Sequence, residues 1–543
     1  MSKHAQQAKQ FLRNKKQAAW HDETLWLVRE KRDRMAHQVP EWEQLREAAH
    51  QLKQYSNSHL DTLLTQFEAN ATRNGAIVHW AKDAAEYCQI VEQILRDHNV
   101  KHLVKSKSML AEECGLNPYL ESHGIEVLES DLGERILQML RRKPVHIVLP
   151  AIAVKKEEIG ELFTREMEGC EPGNCDQTYL THVARRNLRK KFIEAEAAMT
   201  GANFAVASTG ECVVCTNEGN ADMGTSLCTK KLQITAFGLE KIVPNRQALG
   251  VFTRLLARSA TGQPSTTYTS HYRAPRKGGE LHIIIVDNGR SKLLADAQHR
   301  RVLNCLRCGA CMNTCPVYRR SGGYSYTYFI PGPIGINLGM VHDAQKYKDN
   351  VSACSLCYSC QNVCPAKVDL ADQIYLWSQK MEQLGIENKS KHLMSRGMQL
   401  VFEHPSLYHT ALRFAPLANH MPHCMVQNAW NAWGAEREMP HFAAHTFNDL
   451  YHKENSLVFL EEVEESGCPQ CHELGRCHRV CVGCCLLRQY LHLPELSDSF
   501  FFIGKIIAGG RLPVCKQDEL RSPRTEHSPF HAVGAAYITC LQY

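Results

Sequence analysis

Apolar positions in the first 75 residues repeat at helical spacing. Leu25 and Val28, then Leu60, Leu63, Leu64 and Phe67, fall three and four apart in a charged, amide-rich stretch with few Gly or Pro, which predicts helix. From Gly75 the period changes. Short β-rich runs alternate with helical stretches: 76–80 then 84–95, 101–104 then 108–114, 125–129 then 134–141, 145–150 then 157–168. That alternation predicts a parallel sheet with helices packed on it. A helix over 182–199 precedes further buried strands at 204–208, 211–216, 232–237 and 281–286. Beyond Asp369 the pattern is helical again, at 374–384 and 391–402. The chain therefore divides into a helical N-terminal region (1–74), an α/β domain (75–290), a cysteine-motif module (291–385), a helical C-terminal region (386–456) and a tail without clear period (457–543).

Composition narrows the class. The 543 residues are 44% hydrophobic and 22% charged, as in a globular protein able to bury ordinary cores. No apolar run approaches the ~20 residues of a membrane span, and the polar, basic N-terminus has no apolar signal core. A net charge of +6 without a Lys/Arg block argues against a nucleic-acid tract. The expectation is a soluble, cytoplasmic protein. Cysteine changes the picture: there are 24, clustered at short spacings, a usage that in a large non-secreted chain points to metal.

Two motifs carry most of that signal. Cys305-x2-Cys308-x2-Cys311-x3-Cys315-Pro316 and Cys354-x2-Cys357-x2-Cys360-x3-Cys364-Pro365 share one internal register. Three thiolates, each separated from the next by two residues, wrap one face of a cubane cluster, and the fourth, on a departing segment, ligates the other cluster in two-cluster proteins. The proline after it helps set the direction of exit. The reading is two 4Fe–4S clusters, one held by Cys305, Cys308, Cys311 and Cys364, the other by Cys354, Cys357, Cys360 and Cys315. Zinc, which favours paired CxxC units, fits less well. Helical flanks suggest an α-helical ferredoxin module. Gly309 is expected to let the backbone approach sulfide closely. Between the motifs, Tyr324, Tyr326, Tyr328, Pro331, Gly332, Pro333 and Gly335 either shape a loop or offer a docking surface.

Other motifs are absent or weak. No G-x-G-x-x-G follows a strand, and there is no P-loop and no HExxH, so the simplest redox role is a wire. Cys212 and Cys215 form a CxxC, but on a strand they face opposite ways. In the tail, Cys468, Cys471, Cys477, Cys481, Cys484 and Cys485, with His472 and His478, fit neither a ferredoxin motif nor a zinc ribbon well. An extension without metal is favoured there over a zinc site or a third cluster.

The segments CLRCGACMNTCPVY, GPIG and CSLCYSCQNVCPAKVDL, behind an α/β domain, resemble the lactate utilization protein B family. VKSKSM at 104–109, TNEGNADM at 216–223, LARSATGQ at 256–263 and HIIIVDNGR at 282–290 resemble its LUD domain, and the likeness spans about 40–455. The resemblance implies a LUD domain related to the CoA-transferase/ribose-5-phosphate-isomerase folds. It also implies an iron–sulfur electron-transfer subunit of a complex oxidising L-lactate to pyruvate. The implied partners are a Cys-rich-domain protein and a second LUD protein. The location would be cytoplasmic, with peripheral association to the inner face of the membrane as a further expectation. Within the LUD region, Lys105, Lys107, Asn217, Glu218 and Asn220 are candidates to line a site for a small carboxylate, although Asn-Glu-Gly-Asn is also good turn chemistry. Two alternatives stay open: the LUD domain itself oxidises lactate or a related acid, or the chain is an iron- or oxygen-sensing regulator.

Overall fold

The computed structural model describes residues 2–386, 389–421, 441–447 and 449–451. Cys424 and the cysteines of the tail lie outside the described residues. The strands are β1 (Ile77–Ala81), β2 (His102–Lys105), β3 (Glu126–Glu129), β4 (Ala197–Gly201), β5 (Phe204–Val206), β6 (Glu211–Thr216), β7 (Leu232–Gly238), β8 (Ile242–Val243), β9 (Tyr268–Tyr272) and β10 (Glu280–Val286). Six form one sheet in the order β1-β10-β7-β4-β2-β3, every pairing parallel. The mixed α/β architecture with a parallel sheet is as the alternation predicts.

The interior strand β10 reads ELHIIIV because both its faces are covered. Ile284 and Val286 meet Tyr87, Val91 and Leu95 of the helix Ala84–Asp97 on one face. Leu281, Ile283 and Ile285 meet Leu63, Leu64 and Phe67 of the helix Leu60–Arg73 on the other. A smaller sheet, β8-β5-β6-β9, stands beside it, with β6 antiparallel to both neighbours. On β6 Cys212 is buried in the core beneath β10, while Cys215 faces a different cluster.

Two local expectations fail. The helix expected over 182–199 is Gln177–Glu194, and 197–201 is instead the central strand β4. The Ala-Ala-Met-Thr stretch has no strong strand propensity, but it pairs with β7 on one side and β2 on the other while Ala197 and Met199 face one core and Ala198 the other, and packing overrides local preference. The strand expected at 145–150 is irregular. There the imidazole of His146 takes up backbone amides that a neighbouring strand would otherwise bind: Nδ1 accepts from the N–H of Val148 at 3.1 Å and of Leu149 at 3.0 Å.

The first three helices, Lys3–Arg13, Lys15–His37 and Trp42–Ser58, pack against the cysteine-motif region and the helix Arg246–Thr261. After the motifs come the helices Leu370–Gln383 and Lys389–Glu403. Residues 406–421 and 441–451 belong to a second unit, in which the Asn419 side chain donates to the Phe442 carbonyl at 2.7 Å and accepts its N–H at 2.9 Å. Among the described residues no helix is long and apolar enough to cross a membrane.

Candidate functional site

The two cysteine motifs fold into loops with the same backbone. In the first, Arg307 and Gly309 are left-handed (φ 60° and 77°); in the second, Leu356 and Tyr358, at the same positions, are left-handed too (φ 51° and 60°). Such residues turn successive amides inward. The N–H of Arg307 donates to Cys305 Sγ and that of Leu356 to Cys354 Sγ, both at 3.4 Å. The fourth cysteines also receive amides: Tyr318 N–H on Cys315 Sγ at 3.5 Å, Val368 N–H on Cys364 Sγ at 3.4 Å. The short helices Ala310–Thr314 and Ser359–Asn362 carry the third cysteine of each motif and are joined by a Thr314–Ser359 hydroxyl hydrogen bond.

The thiols gather in two overlapping groups. Cys305, Cys308 and Cys364 act electrostatically on one another, with Cys311 against them. Cys315, Cys354 and Cys357 form the second set, with Cys360 against them. Cys311 and Cys360 also feel each other's set, so the groups touch. Among the described residues every cysteine is free of disulfides. Burial pushes the Cys308 thiol up to about 12 and Cys315 to about 11, and raises Cys311 and Cys360 further. Neutral thiols therefore prevail without a bound cation, and metal binding must release protons. A donor set entirely of sulfur, without carboxylate or imidazole, fits iron–sulfur clusters.

Residues distant in sequence furnish the surroundings. Arg32 donates to the Val363 carbonyl at 3.1 Å and Arg46 to the Cys364 carbonyl at 3.0 Å. Their charges favour the thiolates of Cys308 and Cys364. Buried Lys53, pushed down to about 8 by burial and by Lys241, donates to the Glu240 carbonyl and feels Cys305. None of these helix residues carries a signal in the sequence beyond its place in a periodic pattern. His146 is buried and lowered to about 3 by desolvation. With Nδ1 accepting, Nε2 carries the proton and donates to Asn313 Oδ1 at 3.0 Å. Its ring also explains Gly309: a Cβ there would lie 2.9 Å from His146 Cε1. Gly309 thus makes a close approach to this imidazole, while Tyr358 keeps the same left-handed backbone without being glycine. Tyr326 is buried beside Cys315 and Cys354, and Tyr328 packs edge-on to Tyr347 with centroids 5.1 Å apart, so both shape the loop's core.

A cavity of about 310 Å³ opens between the α/β domain and the first cysteine loop. The ends of β4, β6 and β7, the start of the helix Met109–Cys114, and residues 147–149 of the His146 loop form its walls; Arg307 and Cys308 close one side. Lys107, Asn217, Glu218 and Asn220 line it. Lys105 does not, because its ammonium is buried against Glu129 at 2.7 Å, between β2 and β3. Asn217 and Asn220 have structural partners, Gln263 at 2.9 Å and Ser130 at 3.2 Å, while Gly219 between them is left-handed (φ 65°), as a turn requires. Burial, then Asp131, push Glu218 up to about 7. Arg307, which also lines the cavity, was not legible as a site residue; its position between two cysteines of the first motif was the available signal.

Residues 64–292 match the LUD domain family, 301–368 the 4Fe-4S dicluster domain and 381–456 the C-terminal family of lactate utilisation protein B. The chain is 39% identical over 384 residues to the "uncharacterized electron transport protein YkgF" of Escherichia coli, covering 69% of this chain and 80% of that one. It is 40% identical over 392 residues to lactate utilization protein B of Bacillus cytotoxicus, covering 70% and 81%. A DUF162 family protein from Deinococcus radiodurans of solved structure aligns over 42% of this chain and 98% of its own, at 15% identity and a TM-score of 0.24, too loosely to carry an argument.

Proposed function

The chain belongs to the lactate utilization protein B family, and from that premise we propose that it is the iron–sulfur electron-transfer subunit of a complex oxidising L-lactate to pyruvate. A role in lactate utilization and electron transfer is what its relatives and its 4Fe-4S dicluster domain support. The finer reading has two 4Fe–4S clusters, one on Cys305, Cys308, Cys311 and Cys364 and one on Cys354, Cys357, Cys360 and Cys315. The observation that carries it is the gathering of the thiols into two touching groups, each completed by a cysteine of the other motif. Bound there, the clusters supply one-electron exchange. The chain's own residues hold the thiolates, direct amides at them and keep water from the first group. Lactate oxidation releases two electrons and two protons, so two one-electron centres match the count. A Cys-rich-domain protein and a second LUD protein complete the proposed complex, and the LUD domain is read as a relative of the CoA-transferase/ribose-5-phosphate-isomerase folds.

A second reading is favoured by the cavity between the LUD domain and Cys308: the LUD domain itself takes lactate or a related small carboxylate. Turnover of lactate by the isolated chain separates the two, since a wire alone gives none. The main reading is tested by iron, acid-labile sulfide and EPR on anaerobically purified protein. About eight of each per chain and two interacting spins are expected; zinc, or iron without sulfide, overturns it.

A further inference from the structure

We propose that the cavity is an organic-carboxylate site whose anion is gripped by the guanidinium of Arg307, a residue of the first cluster loop itself, together with Lys107 and the Thr216 hydroxyl. This rests on the second reading above and deepens it.

Three polar atoms on residues that line the cavity are buried without hydrogen-bond partners: Arg307 Nη1, Lys107 Nζ and Thr216 Oγ1. Leaving such groups unsatisfied carries their full desolvation penalty, which is larger for charged ones. All three can donate, and two are cationic, which is the complement of a carboxylate. Their nearest acids do not satisfy them. Arg307 Nη2 is 3.8 Å from Glu240, whose other oxygen is held by Arg290, and Lys107 Nζ is 3.5 Å from Glu134. Burial pushes Glu134 up to about 7, so near neutrality its carboxyl is only partly charged and competes weakly for Lys107. Apolar side chains, Val214, Phe237 and Leu256 among them, supply a wall for a carbon skeleton. The volume is near ten times the ~30 Å³ that a water molecule occupies in the liquid, which leaves room for an acid of roughly ten non-hydrogen atoms.

Arg307 connects this site to the cluster loop. Its backbone N–H is on Cys305 Sγ while its side chain, 11% exposed, lines the cavity. A carboxylate on that guanidinium neutralises a cation carried by the first cysteine loop, so an electron added at that loop is less stabilised. Binding thus lowers the reduction potential of the first centre, and by linkage reduction weakens binding by the same factor.

The experiment uses the full chain purified anaerobically with its clusters, and the probes are L-lactate, pyruvate and glutarate. Calorimetry measures binding to the oxidised protein, and EPR-monitored redox titration follows the two centres with and without a saturating probe. Saturable one-to-one binding of at least one probe is expected, with a downward shift confined to one centre. A tenfold weaker affinity in the reduced state corresponds to about 59 mV. R307Q, at unchanged iron and sulfide, should weaken binding at least tenfold and remove the shift. T216V, outside the cluster loop, should weaken binding several-fold and serves should R307Q lose iron. Binding unchanged in R307Q, or in T216V where R307Q cannot be used, overturns the assignment of the grip while leaving the second reading standing. No saturable binding of any probe overturns both. The wire reading is judged separately, on the iron and sulfide content of the same samples.

Discussion

The two cysteine loops share a spacing, a left-handed backbone at matching positions and an amide on the first sulfur, yet they sit in unlike surroundings. Around the first, and the Cys364 thiol that the second motif sends to it, lie Arg32 near Cys308, Arg46 on the Cys364 carbonyl, Lys53 and Lys241 facing Cys305, and His146 wedged against Gly309. The second reaches the surface: Cys357 is exposed, as are Leu356 and Tyr358 on either side of it. The lesson is that ligand spacing specifies a cluster loop but not its electrostatics. Potential depends on charge, sulfur hydrogen bonds and exposure, and those come from what is packed around each loop. The first loop also borders the cavity, while the second offers a cysteine at the surface.

The largest expected effect tests whether the loops are independent ligand sets. C308A and C357A should each remove about four of eight irons and stop lactate-dependent electron flow, measured by iron analysis and dye reduction. C471A, in the tail, should leave iron unchanged; a loss of about four irons there would mean the tail holds a cluster.

Acid should separate the loops next. His146 is lowered from 6.5 to about 3 by burial, so the unfolded chain binds an extra proton between those values. Stability from keeping this imidazole neutral is therefore complete above about pH 6.5 and is lost as pH falls toward 3, by up to about 1.4 kcal/mol per pH unit. Denaturant unfolding across this range should steepen below pH 6.5 in the wild type and flatten in H146Q. An unchanged profile in H146Q would exclude the buried imidazole as the cause.

Glycine substitution gives a smaller contrast. G309A places a Cβ against His146 in a left-handed backbone, for a loss of about 1–3 kcal/mol and partial loss of the first cluster. Y358G in the second loop relieves a left-handed non-glycine residue but gives up the Tyr358 hydroxyl bond to Asp372 at 2.9 Å, and should stay within about 1 kcal/mol of wild type. Thermal unfolding and iron content report both. Smallest is R46M, which should shift the potential of one centre downward and leave the other in place, read by redox titration. A shift in both would erase the distinction between the loops.

Part of this was legible in the chain. The strand β10 and its alternate burial follow from Leu281, Ile283 and Ile285 on one face and Ile284 and Val286 on the other. Four of the five candidate carboxylate residues line one cavity, because Lys107 and Asn217–Asn220 follow strands whose C-terminal ends converge. Lys105 went the other way, since a lysine on a central strand needs an acid beside it and Glu129 on the next strand supplies one. The β-branched run at 145–150 misled for a similar reason: one histidine supplied what a partner strand would have supplied.

The sequence by itself determined the metal chemistry and the sheet, because ligand spacing and strand–helix alternation are local and each is written within a few tens of residues. Only the tertiary structure decided which charges face which loop, where a cavity opens, and that Arg307 lines it. Those depend on contacts between residues 167 apart, as in His146 and Asn313, or 318 apart, as in Arg46 and Cys364. No local pattern encodes such pairs; they arise when helices and loops that are each stable in several packings are brought to the one that buries their apolar faces together.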